Sequence, residues 1–229
     1  MFINNSGGNN SFEKVYIGKP VVTSIVVNMI GSGAITFITT GVDPCIANPL
    51  FDLEMYNAGD WISTLAGGIT VEANMTDTVS PPAPLMVFNT SNPTGGDLDL
   101  GSPHKSFGGP GRGKAGKMGN TFQNSESLGN VLIISADGNT TDPNDFAQGG
   151  DITFTFDFPT YIDSVAVLDN ESGCIVNVTS SDGSWSAYVN TNGGNNSFER
   201  MSIGKPAVVS VHIRLLGSGA ITALNGECI

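Results

Sequence analysis

The stretch AYVNTNGGNNSFERMSIGKPAVVSVHIRLLGSGAITAL, residues 187–224, decides the fold class. Within it Val209, Val211, Ile213 and Leu215 alternate with Ser210, His212 and Arg214. A period of two marks a strand with one packed face and one wet face. The whole stretch reads as strand, polar Gly/Asn turn, strand, Gly-Lys-Pro turn, long strand, Gly-Ser-Gly turn and short strand. The glycines of GSGAI suit a tight turn, where they can take positive φ. Upstream, Ile152, Phe154 and Phe156 alternate in the same way with Thr153, Thr155 and Asp157. Further strands are expected near residues 51–56, 69–73, 85–88, 131–135, 163–169 and 175–179. About ten short strands divided by turn signals predict an all-β chain, an antiparallel β-sandwich or jelly roll, with residues 51–229 as its complete domain.

The same stretch occurs twice. Residues 1–38, MFINNSGGNNSFEKVYIGKPVVTSIVVNMIGSGAITFI, align without a gap to residues 187–224, with twenty of 38 positions identical. The N-terminal copy lacks the upstream strands that the C-terminal copy has beside it. Its apolar strands need cover, and the nearest template for that cover is the sandwich of another copy. The expectation is a structural subunit that joins head to tail into a filament or fibril. Residues 1–38 would be its assembly segment and residues 39–50 its linker. Val22, Ile25, Val27 and Met29 are the candidate buried anchors, with the turn and added strand at Gly31, Gly33 and Ile35. Two other arrangements fit the same count: a piece of a longer tandem array, and one enlarged monomer holding both copies.

Composition narrows the partners. The 229 residues hold 21 acids against nine bases, a net charge of -12, so a nucleic-acid backbone is an unfavourable partner. No apolar run approaches the roughly 18 residues of a membrane span. Thirty glycines and 12 prolines speak against a helix bundle. Asn-x-Ser/Thr acceptors stand at Asn4, Asn9, Asn74, Asn89, Asn139, Asn170, Asn177 and Asn195, and with the low charge they favour a secreted glycoprotein. Of the three cysteines, Cys174 and Cys228 could bridge and leave Cys45 for a second molecule; three reduced thiols are the alternative.

Few motifs carry chemistry. GGPGRGK at residues 108–114 has phosphate-loop spacing, but Ala115 stands where a hydroxyl would bind magnesium and no helix follows, so a long mobile glycine loop is expected. That loop concentrates Lys105, Arg112, Lys114 and Lys117, four of the nine bases. Asp137, Asn139, Asp142 and Asp145 share one loop of a composition suited to calcium, as do Asp97 and Asp99, while ordinary Asx turns explain the same residues. Trp61, Trp185, Tyr56, Tyr161 and Tyr188 could form a sugar-stacking platform, which makes a lectin-like, carbohydrate-binding adhesion module the alternative to a filament subunit. No nucleophile elbow, histidine-rich metal pattern or CxxC occurs, and no enzymatic activity is expected.

NPTGGDLDLGSP (residues 92–103), LGNVLIIS (128–135), DSVAVLDNE (163–171) and GSGAI (217–221) together resemble uncharacterised secreted β-sandwich proteins of aquatic microbes and algae. The resemblance spans about residues 51–224. It implies an exported domain, often surface-attached or part of an extracellular matrix, with no catalytic residues to carry over.

Overall fold

The computed structural model describes residues 49–76, 85–190 and 193–228. The junction residues Val22, Ile25, Val27, Met29, Gly31, Gly33 and Ile35, together with Cys45, Asn4 and Asn9, lie outside them. Among the described residues no helix is long and apolar enough to cross a membrane.

Nine strands lie among the described residues: β1 (Thr64–Leu65), β2 (Ile69–Met75), β3 (Leu85–Asn89), β4 (Asn130–Ile134), β5 (Gly150–Leu168), β6 (Cys174–Ser180), β7 (Trp185–Asn190), β8 (Phe198–Leu215) and β9 (Ala220–Cys228). All pairings are antiparallel. The hydrogen-bonded order is β3-β4-β9-β5-β8-β6-β7, with β2 on β5 and β1 on β2.

Two layers arise because β5 and β8 are long enough to belong to both. The first half of β5 runs between β2 and the second half of β8; from Thr160 onward β9 replaces β2 beside it. The register shifts between Thr155 and Ser164, at the level of Phe158 and Pro159, and there the paired strands bend. A bulge does this by adding an unpaired residue and local twist. Layer A is therefore β1, β2, the first half of β5, the second half of β8, β6 and β7. Layer B is β3, β4, β9 and the remaining halves of β5 and β8.

Between the layers lies one continuous core. Val71, Ile152, Phe154, Val176, Val211 and Ile213 of layer A belong to the same buried cluster as Val87, Leu132, Val165, Val167, Ile221 and Leu224 of layer B. Phe51 stacks on Phe154 with ring centroids 5.8 Å apart. A second cluster lies on the outer face of layer B, where Leu100 covers Met86, Phe88, Val131, Ile133, Leu168 and Ala220. Burial on both faces explains why β3 and β4 carry the uninterrupted apolar runs LMVF and VLII.

Several expectations are corrected here. Residues 51–56 form no strand: Asp52 accepts from Glu54 N–H and caps a 3-10 turn at Leu53–Met55. Leu50, assigned to the linker, is buried and donates its N–H to Leu224 O, so it belongs to the packed body. The Gly-Lys-Pro turn is a kink inside continuous β8, with Gly204 at φ 62° and Ala207 at φ 55°. In residues 187–224 β6 stands between β7 and β8, and β5 between β8 and β9. The loop after β3 is packed rather than mobile: His104, Ser102, Asn124 and Leu100 are fully enclosed.

Candidate functional site

Among the described residues nothing covers the outer face of layer A, which is made by the outward residues of each alternating strand, most of them polar. The pairing registers arrange them in three cross-strand rows. The first is Trp185, Thr179, Ser210, Thr155 and Thr70. Ala187, Asn177, His212, Thr153 and Glu72 form the second, and Val189, Ile175, Arg214, Asp151 and Asn74 the third. Five strands make this face about 19 Å wide at the usual spacing.

Its centre is held by hydrogen bonds that cross three strands. Arg214 grips Asp151 with both ends of its guanidinium, Nε to Oδ1 at 2.8 Å and a terminal nitrogen to Oδ2 at 3.0 Å. His212 Nε2 lies 2.9 Å from the same Oδ1, and its Nδ1 lies 3.4 Å from Asn177 Nδ2. One assignment satisfies all of them: Nε2–H donates to Asp151, and Nδ1 accepts from Asn177. Burial pushes the Asp151 carboxyl up, but the hydrogen bond and charge of Arg214, then His212, outweigh it and hold the group below its ordinary range. The result is a fixed line of amide, imidazole, carboxylate and guanidinium across three neighbouring strands. At the rim Trp185, 71% exposed, lies on β7, whose outer edge has no strand paired to it among the described residues.

The sugar-stacking platform is not assembled as expected. Trp61 is also exposed, but it bridges to Met86 of β3, a layer B strand, whereas Trp185 lies on β7 of layer A. Tyr188 turns inward and donates its hydroxyl to Ile203 O, and Tyr56 packs on the core.

The calcium expectation fares differently. Asp137 accepts from Asn139 N–H, Asn139 from Thr141 N–H and Asp142 from Gly95 N–H, so these three serve turns and a loop contact. Asp145 is buried elsewhere and accepts from Ser218 Oγ and Gly219 N–H. The structure does not gather the four. Among the described residues the acids that come together are Asp99, Asp169 and Glu171, with ligand oxygens within 4.8 Å of one another. Protein donors already engage them: Asn195 Nδ2 bonds Asp99 and Glu171, while Asn196 N–H and Ser218 Oγ bond Asp169. Burial, then the charge of Asp99, pushes Asp169 up to about 7, and burial does the same for Asp97. These carboxyls act as a clasp between the ends of four segments.

Cys174 and Cys228 form no bridge. Cys174 is a buried free thiol 4.0 Å from Met201 Sδ, and burial pushes it up to about 12. It sits level with Leu215 and hence Gly150, whereas Cys228 pairs with Thr160, ten residues further along β5 (160 − 150). Of the glycosylation candidates, Asn170 is buried and therefore closed to a glycan. Asn177 and Asn195 spend their amides on His212 and on Asp99 and Glu171, and Asn89 accepts from Ser91 N–H. Asn74 and Asn139 are exposed.

Sequence reasoning placed His212 on a polar strand face but missed the row. Its four members come from three strands, and only the pairing register brings them together.

No protein-family model matches the chain, and no curated protein does. Among solved structures it is similar to a His 62 mutant of the lectin binding domain of Lectinolysin complexed with Lewis b, at 6% identity and TM-score 0.30, over 37% of this chain and 68% of that one. It is similar also to CpGH89CBM32-4 produced by Clostridium perfringens, at 15% identity and TM-score 0.31, over 51% of this chain and 92% of that one. Likeness at this level bears on neither the fold nor the function of the chain. What the coordinates define is an antiparallel β-sandwich with one face buried under a loop and the other open and polar.

Proposed function

We propose that the chain is an extracellular carbohydrate-binding module and that the open face of layer A receives the glycan. The observation that carries this reading is the ordered row Asn177–His212–Asp151–Arg214 with Trp185 at its rim. Sugar hydroxyls need donors and acceptors fixed in advance, because each immobilised side chain otherwise costs about 0.5–1.5 kcal/mol on binding. Here the row is already fixed by its own bonds. The apolar face of a pyranose ring suits an exposed indole, which offers a large apolar surface and a polar N–H. An open sheet face, rather than an enclosed pocket, lets a polymer chain enter and leave at both ends. Joining of copies through residues 1–46 finds no support in the described residues and forms no part of this reading.

Affinity electrophoresis against a panel of neutral polysaccharides tests it. At least one is expected to retard the protein, and Trp185→Ala is expected to weaken that retention about tenfold, as loss of a stacking contact worth ~1.5 kcal/mol would. The side chain is too exposed for its removal to unfold the protein. Retention unchanged in the variant would contradict the assignment of the face.

A further inference from the structure

The described residues hold a second surface of opposite character. Residues 100–125 contain no acid but include Lys105, Arg112, Lys114 and Lys117, four of the nine bases in a chain of net charge -12. None of the four is ion-paired among the described residues. Lys105, Lys114 and Lys117 line an open depression of about 750 Å³, with Gly113, Ala115, Asn120, Gly193, Gly194 and Asn195 as its floor and walls.

The loop is built to present them. A Cβ on Gly111 would lie 2.2 Å from Gly101 O, one on Gly113 2.2 Å from Asn195 O, and one on Gly116 2.2 Å from Asn196 O. The glycines therefore face inward, laid flat on neighbouring main chain, while Arg112 and Lys114 between them and Lys117 just after them are exposed. Ala115 N–H donates to Asn195 O, Asn124 N–H to Gly116 O and Met118 N–H to Ser106 Oγ, which ties the loop down at three points. Two carboxylates, Asp99 and Glu171, border the depression, and both are bonded by Asn195 Nδ2.

We infer that this depression binds the sulfate or carboxylate groups of an acidic polysaccharide. Three ammonium groups held on a pinned backbone match repeated anionic groups on a polymer, and the open shape suits a chain rather than an enclosed small ion. Nucleic acid fits less well, because the lining holds no aromatic ring on which the bases of a single strand would stack. This surface is separate from the open face of layer A and goes beyond the function proposed for that face.

The test compares the full chain, the triple variant Lys105→Gln/Lys114→Gln/Lys117→Gln, and Trp185→Ala. Each is run against dextran sulfate, polygalacturonate and a single-stranded DNA, at low and high salt. The three lysines are exposed, and an unchanged melting temperature of the triple variant confirms its fold. Dextran sulfate, polygalacturonate or both are expected to retard the wild type at low salt. The triple variant is expected to lose about tenfold in affinity, the modest loss that exposed, salt-screened charges produce. Trp185→Ala should leave this binding unchanged, and DNA should bind at least about tenfold more weakly. Which acidic polymer is held distinguishes sulfate from carboxylate recognition. The inference is overturned by equal binding of wild type and triple variant, by the absence of binding to both acidic polymers at low salt, or by DNA binding as tightly as they do. Loss in Trp185→Ala with none in the triple variant would overturn it while leaving the layer A proposal standing.

Discussion

Ser218 has one hydroxyl proton and two carboxylate neighbours, Asp145 Oδ2 at 2.8 Å and Asp169 Oδ2 at 2.7 Å. It can donate to only one of them, so a proton kept on the other carboxyl completes the contact. Burial favours that proton, pushing Asp169 and also Asp97 up to about 7 from 3.8. A carboxyl whose folded value is raised binds more protons in the native state than in the unfolded one between those two values. Its stabilising effect is therefore complete at low pH and lost as pH rises toward 7 and beyond. Asp151 works in the opposite sense: its lowered value stabilises above the unfolded carboxylate range and is lost on acidification. Thermal unfolding should show a melting temperature that rises as pH falls from 8 to 5. Asp169→Asn should flatten that rise by stabilising the protein at pH 8, since an amide keeps the acceptor for Asn196 N–H, donates to Ser218 and tolerates the φ of 57° found there. A profile as steep in the variant as in the wild type would place the titrating group elsewhere.

At the scale of the element, the connection from β3 to β4 decides how the molecule divides its surface. It buries Leu100 over the outer face of layer B and leaves layer A open. Gly116 shows how tight that cover is: an added methyl group would meet Asn196 O at 2.2 Å and Asn196 Oδ1 at 2.4 Å. Gly116→Ala is expected to destabilise by about 1–3 kcal/mol through overpacking. Gly96, with nothing within 4 Å of its added Cβ, supplies the contrast, because Gly96→Ala meets only the cost of its φ of 91°. Equal losses at the two positions in denaturant titrations would remove the packing explanation. From sequence GGPGRGK was legible as glycine-rich but read as mobile, because nothing local shows that Asn195 and Asn196, some 80 residues away, lie under it. The alternation of Ile152, Phe154 and Phe156 was enough to place β5 and its inner face. What the alternation could not convey is that β5 runs on past Phe158, through Pro159, into the strand expected at 163–169, since a bulge keeps the pairing where the local chemistry signals a turn. The same holds for Gly204, Lys205 and Pro206 in β8.

At the scale of the molecule, the all-β antiparallel class was legible from period-two patterns and turn residues. The layer assignment was not. It depends on two long strands shared by both layers, and on β5 and β6 lying between strands that the repeated stretch supplies. The site followed the same division: His212 and Arg214 could be set on a wet strand face, but their meeting with Asp151 and Asn177 is a product of register. Every residue of the proposed glycan face lies between Thr70 and Arg214. Deletion of residues 1–38 should therefore leave affinity for the retained polysaccharide within about twofold. A tenfold loss in that variant would assign the N-terminal copy a part in binding.

The chain has two tryptophans: Trp185 lies on β7 of layer A, and Trp61 bridges to Met86 of β3 in layer B. Their indole N–H resonances, assigned from the Trp185→Ala spectrum, separate the open face from the rest of the surface in one titration with a soluble fragment of the retained polysaccharide. The account expects the Trp185 signal and the His212 ring to shift in a saturable way while Trp61 stays in place. A saturable shift at Trp61, with Trp185 and His212 unmoved, would contradict it.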